Sequence, residues 1–222
     1  MGLFLGTTAP SQIMVGTSPA AAVCLGTDEI WRAAREWQEI TATTTLTVPA
    51  WAAYIDFVML GAGGGGSGGN NANAHGNGGA AGQWKQLLGR DIAAGTPIVV
   101  TIGQGGVGGA GGPNSPGAAG GDTTAAVNGE VVATGTGGAG GTGTGGAAGK
   151  SPGPTTLTVP EGYGYGQPDS TTFTSGGEQP TIEAAGNPPG GGGGPGRGAF
   201  LFGAKKGGDG APGRAWIRFR SW

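Results

Sequence analysis

The most apolar stretch of the chain alternates between two sets of side chains and then changes abruptly into glycine. Between Ala53 and Leu60 successive side chains fall into two alternating sets, and this period of two is typical of a β-strand with two distinct faces. From Gly61 onward the side chains almost disappear. The same change recurs along the chain at residues 100–112, 132–149 and 188–198. The pattern predicts β-strands that alternate with glycine tracts.

Other short runs of β-branched and apolar residues predict further strands. These runs are residues 43–48, 83–88, 97–102, 123–127, 130–134, 199–202 and 215–219. Asn128 and Gly129 separate two of the runs, and this pair suits the type I′ turn of a hairpin. In the last run, Ile217 and Phe219 share one face and Trp216 and Arg218 share the other. We expect one side of this strand to be buried and the side with the arginine to be solvated.

The first 38 residues follow a different pattern. The sequence AVCLGTDEIW, residues 22–31, predicts a tight β-hairpin, and a single hairpin is marginally stable on its own. We therefore expect its apolar face to dock on a partner. The candidate docking residues are Ile13, Val23, Leu25, Ile30 and Trp31. The chain is divided accordingly into a hairpin region, residues 1–38, and a glycine-rich β domain, residues 39–222.

The composition includes 56 glycines and 15 prolines among 222 residues, which taken alone favours disorder. A formal net charge of −2 and six tryptophans indicate instead a chain that buries surface. Glycine-glycine-X triplets at residues 105–113 and 137–142 match the three residues per turn of a polyproline II helix. Ordered packing of such helices is favoured, with irregular packed loops and flexible linkers as alternatives. The expected fold is all-β, with β-sandwich-like strands and packed polyproline II-like segments, preceded by the small N-terminal hairpin region.

Residues that carry chemistry are few. Cys24 is the single cysteine, and His75, the single histidine, is expected in an exposed loop. Residues 61–66 match the dinucleotide pattern G-x-G-x-x-G, but the glycine- and asparagine-rich residues that follow cannot form the helix that this site needs. No pair of carboxylates is placed for polysaccharide hydrolysis. We expect no enzyme activity, cofactor or metal, and the isoelectric point of 5.3 and the short apolar runs predict neither nucleic-acid binding nor a membrane span.

Two tyrosines offer the best candidate binding surface. Tyr163 and Tyr165 are separated by one glycine, so both rings project to the same side of an extended chain. With Phe173 they form the predicted binding residues, and aromatic faces suit sugar rings. The alternative is that the tyrosines cap the glycine core.

The strand and glycine phrases together carry a resemblance. They are LTVPAWAAYIDFVMLGAGGGGSGG, AGTPIVVTIGQGGVGGAGG, GGDTTAAVNGEVVATGTGGAGG and GGDGAPGRAWIRFRSW. This arrangement resembles the glycine-rich domain of minor tail proteins of tailed bacteriophages, and AVCLGTDEIW is similar to a segment near the start of such proteins from phages of actinobacteria. Residues 163–189 fit the pattern least.

The resemblance implies a structural virion protein at the tail tip, synthesised in the host cytoplasm, that contacts other phage tail proteins. Its expected role is recognition of the host surface or adsorption to it, with a host cell-envelope glycan as a possible partner. A homo-oligomer is expected, with a trimer favoured because the glycine-glycine-X segments need neighbours. The alternatives are a cellular glycine-rich surface or matrix protein and a polysaccharide-cleaving tail enzyme.

Overall fold

The computed structural model describes residues 14–15, 18–20, 22–25, 28–32, 36–112, 115–160, 170–200 and 203–221. The described residues form fourteen β-strands and no α-helix. The strands are β1 (Met14–Val15), β2 (Ser18–Pro19), β3 (Ala22–Leu25), β4 (Asp28–Arg32), β5 (Gln38–Ile40), β6 (Thr44–Thr47), β7 (Tyr54–Leu60), β8 (Trp84–Asp91), β9 (Pro97–Thr101), β10 (Thr123–Val127), β11 (Glu130–Gly135), β12 (Thr156–Pro160), β13 (Ser170–Thr174) and β14 (Arg214–Arg220). The all-β fold class is confirmed.

Two four-stranded antiparallel sheets pack against each other. The inner sheet has the order β5-β14-β7-β8, and the outer sheet has the order β11-β10-β9-β6. The alternation along β7 predicts the side that meets the outer sheet, because Ile55, Phe57 and Met59 are fully buried in the core that the two sheets share. Ile98 and Val100 of the outer sheet belong to the same core. The predicted β-sandwich is therefore present.

The hairpin at Asn128 and Gly129 has the predicted geometry. It joins β10 to β11, and both turn residues have the positive φ angles, 51° and 82°, that a type I′ turn requires. The predicted strand at residues 199–202 is different, since Phe200 makes only an isolated bridge with Ala72, and residues 201–202 lie outside the described part.

A third layer covers the other side of the inner sheet. Strands β12 and β13 form a hairpin whose Val159 and Phe173 pack against Val58, Leu60 and Trp216 of that sheet. Both faces of β14 are therefore buried, and Arg218 is only 3% exposed. This corrects the expectation of a solvated face on the last strand. The face of β14 opposite the shared core is covered by the third layer instead of by water.

Glycine tracts continue from the strands at one end of the sandwich. In the described part of the chain, seven glycine-rich segments pack as polyproline II-like helices, and we call them the glycine bundle. They are residues 61–69, 77–83, 103–112, 115–121, 136–141, 190–196 and 205–213. Six of them directly follow or precede one of the strands β7, β8, β9, β10, β11 and β14, so each of these six strands continues into one helix of the bundle.

Residues 61–69 form the central helix of the bundle. Their N–H groups donate in a repeating order of three to three antiparallel neighbours, residues 115–121, 205–211 and 77–83. One row of donors, for example, is Ala62 to Gly121, Gly65 to Ala118 and Gly68 to Ser115, at 2.9–3.1 Å. A partner that recurs every third residue is the signature of a helix with three residues per turn, so the predicted period of the glycine tracts is confirmed.

Three parallel helices occupy the remaining places around the central helix. Residues 103–112, 136–141 and 190–196 donate N–H groups to carbonyls of residues 61–69. The parallel and antiparallel neighbours alternate and are also hydrogen-bonded to each other, so they form a closed ring of six. Backbone groups that glycine leaves without side-chain cover are thus paired within one chain.

The fold has two ends. Strand β7 leads into residue 61, so residues 61, 83, 103, 121, 136 and 213 lie next to the sandwich. Residues 69–76, 142–146, 197–200 and 203–204 lie at the far end, which we call the tip. Strand β5 pairs Ile40 with Ala215 and Gln38 with Ile217, so the chain enters the sandwich from the end remote from the bundle. We call that end the base. At about 3.3 Å per strand residue and 3.1 Å per helix residue, β7 and the central helix together span about 50 Å.

Candidate functional site: the tip of the glycine bundle

Of the three residues that the sequence singled out for binding, the structure describes only Phe173. Tyr163 and Tyr165 lie outside the described residues. Phe173 is 5% exposed, and its ring packs against Trp37 at a centroid distance of 5.0 Å and against Trp216 at 5.1 Å. Phe173 is therefore part of the core between the inner sheet and the third layer, and no ligand reaches its ring in this conformation.

The N-terminal hairpin exists, and its docking role stays a prediction. Strands β3 and β4 pair antiparallel with Leu25 opposite Asp28, which leaves the two-residue connection that the sequence predicts. Val23 is half-buried, Leu25, Ile30 and Trp31 lie in these two strands, and Ile13 lies outside the described residues.

A buried cluster of charges joins three adjacent strands of the inner sheet, β14, β7 and β8. Asp56 of β7 is fully buried, and its carboxylate accepts hydrogen bonds from Arg218 Nε at 3.0 Å and Arg220 Nε at 2.8 Å, with both arginines on β14. The N–H of Gly89 donates to the same carboxylate at 2.7 Å, from a bulge in β8 where Gly89 has φ +67°. Burial lowers the pKa of Arg218, and the hydrogen bond with Asp56 opposes that effect.

Aromatic rings cover the two arginines. The guanidinium carbon of Arg218 lies 4.5 Å from the ring centroid of Trp37, and that of Arg220 lies 5.5 Å from the ring of Tyr54. Trp37 directly precedes β5, the first strand of the domain. Its contact with Arg218 therefore fixes the start of the domain against the middle of the inner sheet. The cluster is enclosed and has a structural role. A lone acid in the most apolar strand was the sequence signal that could have revealed it, since a buried carboxylate requires a partner.

Backbone hydrogen bonds order the chain at the tip. The side-chain oxygen of Asn70 accepts from the N–H groups of Ala72 and Ala74, at 2.9 and 3.0 Å. The N–H of Asn73 donates to Ala199, and the N–H of Ala199 donates to the carbonyl of Asn70. Two separate segments of the tip, residues 70–76 and 197–200, are thereby tied together.

His75 takes part in this network. Its Nδ1 accepts a hydrogen bond of 3.0 Å from the N–H of Gly198, and its carbonyl accepts from Gly145. The side chain is half-buried, which corrects the expectation of an exposed loop histidine, because residues 197–198 and 145–146 pack around it. Its Nδ1 is therefore used to hold the backbone of the tip in place.

Phe200 is the most exposed large apolar side chain of the described residues, at 73%. Its segment bridges Ala72, so the ring is carried at the end of the bundle by a hydrogen-bonded pair of segments. Of the charged residues nearby, Arg197 lies 3.0 Å from Glu183 and Lys206 lies 2.7 Å from Asp209, and Lys205 is exposed beside them. The hydrogen bonds from Lys206 and from the N–H of Gly108 lower the pKa of Asp209, so its carboxylate is charged at neutral pH.

The described residues contain no cluster of histidine, cysteine, aspartate and glutamate that could hold a metal ion. Among the same residues, none forms a helix with the length and apolar character that a membrane crossing requires. What the tip offers chemically is therefore a contact surface with an aromatic ring, amide side chains and little net charge.

Comparison with known proteins agrees with this architecture. The family model described as a glycine-rich domain matches residues 39–220, which cover the sandwich, the bundle and the third layer. The chain is also similar to the Gene 32 protein of Mycobacterium phage D29, with 36% identity over 227 residues that cover 97% of this chain and 98% of that protein. The chain therefore belongs to the glycine-rich domain family, and its relationship to a mycobacteriophage gene product extends over almost its whole length.

Proposed function

We propose that the protein is a structural, non-enzymatic component of a phage virion, a minor tail protein at the tail tip that contributes to adsorption to the host surface. The observation that carries this proposal is the similarity to a mycobacteriophage protein over nearly the full length of both chains. A match of that extent includes the N-terminal region as well as the glycine-rich domain.

The architecture supports a role as a rigid projection. The central helix is hydrogen-bonded on all sides, and a side chain added to most of its glycines would overlap a backbone carbonyl of a neighbour. A bundle of this kind has few side-chain rotamers and no internal space into which it could bend. It holds its tip at a fixed distance of about 50 Å from the base.

In this proposal the base attaches the protein to the tail and the tip faces the host. The chain enters the domain at the base through β5, and in this proposal the N-terminal hairpin docks on another tail protein while the tip contacts the host. Tyr163 and Tyr165 remain proposed contact residues for the host. A homo-oligomer, with a trimer favoured, also remains a prediction from the sequence, and the bundle gives it no support because its hydrogen bonds close within one chain.

Mass spectrometry of purified virions tests the proposal directly. The protein should be present in a small number of copies, and gold-labelled antibody should mark the tail end remote from the head. Absence of the protein from virions would refute the assignment. Incubation of the purified protein with host-envelope glycans, followed by measurement of new reducing ends, should show no cleavage, and cleavage would support the tail-enzyme alternative instead.

A further inference from the structure

We propose that the tip binds a polysaccharide of the host cell envelope, with the ring of Phe200 as the platform on which a sugar ring stacks. This inference rests on the proposed function, since it names the partner and the place of contact. The residues that carry it are not the tyrosines: they lie at positions 70–76 and 197–200, at the far end of the bundle.

The exposure of Phe200 is the first reason. A phenylalanine that is 73% exposed leaves most of its apolar surface in water, and that surface becomes favourable to bury when a partner covers it. Its backbone is held by the bridge to Ala72 and by the bonds of Ala199 to Asn70 and Asn73. Little conformational entropy is lost when an aromatic side chain on a fixed backbone makes a contact.

The amide side chains beside the ring are the second reason. Asn71 and Asn73 flank the residue that bridges Phe200, and both are exposed. Asn70 uses its side-chain oxygen to order the segment, whereas the side chains of Asn71 and Asn73 make no hydrogen bond among the described residues. Amide groups both donate and accept, so they match sugar hydroxyls, which do the same.

The charge at the tip decides between classes of partner. Residues 70–76 contain no Asp, Glu, Lys or Arg, Arg197 is paired with Glu183, and Lys205 adds one exposed cation beside them. A nucleic acid would require a cluster of unpaired basic residues, and a lipid surface would require a broad apolar patch or a basic one. One aromatic ring with uncharged amides fits a polysaccharide chain.

Binding of purified protein to polysaccharide released from proteinase-treated host cell walls tests the proposal, with dextran as the control glycan. Phe200→Ala should weaken binding about tenfold or more, which is the effect of removing a central aromatic contact. The matched control is Val107→Ala, because Val107 is 59% exposed on the side of the bundle, away from the tip. Both variants should keep the unfolding temperature of the wild type.

Three results would overturn the inference. The first is that the wild type does not bind the released polysaccharide, and the second is that Phe200→Ala and Val107→Ala bind it equally. The third is binding only to walls whose proteins are intact, which would identify a protein receptor. Incorporation and adsorption of variant virions distinguish a failure of this inference from a failure of the proposed function. If both variants are incorporated normally and only Phe200→Ala adsorbs poorly, the tip inference is supported. If the variants are incorporated and adsorb equally, the tip inference fails and the tail role stands, whereas absence of the wild-type protein from virions removes both.

Discussion

Gly65 tests whether the glycine bundle is the packed lattice that its hydrogen bonds describe. It lies in the middle of the central helix, and a Cβ atom built there would overlap the carbonyl group of Val107 and would come within 2.6 Å of the N of Gly108. The obstacle is backbone rather than a flexible side chain. Gly65→Ala therefore forces residues 103–112 away from the central helix.

The cost follows from the bonds that this movement weakens. Residues 103–112 donate three N–H groups to the central helix, from Gly106, Gly109 and Gly112. At about 1 kcal/mol net for each hydrogen bond, their loss destabilises the fold by about 3 kcal/mol, and buried groups left unpaired would add to that. For a domain of this size, about 3 kcal/mol corresponds to a melting temperature about 6–12 °C lower.

The matched control is Gly177→Ala, because Gly177 is exposed, has ordinary backbone angles and has no atom within 4 Å of a built Cβ. That substitution should be neutral or should stabilise the fold by about 0.4–1 kcal/mol, since it restricts the unfolded chain. Differential scanning calorimetry of both variants measures the contrast. If Gly65→Ala melts within 2 °C of Gly177→Ala, the bundle is loose enough to admit a methyl group and the close-packed description is wrong.

Further predictions concern the charge cluster and the two candidate roles. Asp56→Asn should destabilise the domain by about 3–5 kcal/mol, because two buried guanidinium groups lose their shared carboxylate, whereas Glu183→Gln at an exposed pair should change stability by less than about 1 kcal/mol, as measured by denaturant unfolding. Deletion of residues 1–35, which spares Trp37 and β5, should leave the melting temperature of the domain unchanged and abolish incorporation into virions; incorporation of the shortened protein would place the anchor in the domain. Tyr163→Ala combined with Tyr165→Ala should leave incorporation unchanged and reduce adsorption to host cells, and normal adsorption would mean that the tyrosines only cap the fold.

Local patterns were sufficient to predict most of the sandwich. The alternation in β7 and the Asn128–Gly129 turn depend on neighbouring residues, and both have the predicted structure. Periodicity predicts which residues share a face, but it does not say whether a second layer covers the other face. In β14 the alternation of arginines with apolar residues indicated a solvated side, and the third layer and Trp37 cover it instead.

The candidate sites were less predictable because they depend on residues far apart in the chain. Asp56 meets Arg218 across 162 positions, and the aromatic that looked available for binding, Phe173, is enclosed by Trp37 and Trp216. The sequence around Phe200 gives no sign of a binding residue, since the pattern of residues 199–202 predicts an ordinary strand. Its exposure follows from the position of residues 197–200 at the end of the bundle, which requires knowledge of the whole ring of helices.

The positions of non-glycine residues in each glycine tract indicate how deeply that helix is buried in the bundle. A helix with three residues per turn has three rows, and each row that faces a close neighbour must be glycine or nearly so. In residues 103–112 every third position bears a side chain, and Val107 and Ala110 on that row are exposed, which marks a helix at the surface of the bundle. In residues 61–69 and 190–196 no such row exists, and these helices are almost entirely buried.

Ser67 carries the one polar side chain of the central helix, and its hydrogen bonds explain why a side chain is accommodated there. Its Oγ accepts from the N–H of Asn77 at 2.7 Å and lies 2.7 Å from the carbonyl of Gly143, so it occupies the position where residues 136–141 have ended and the chain turns. A side chain fits there because one of the six neighbours has stopped, and the hydroxyl pairs backbone groups that the missing helix would have met. Interruptions of a glycine run therefore indicate either an open side of the bundle or the end of a neighbouring helix, and exposure distinguishes the two: Val107 is 59% exposed and Ser67 only 1%.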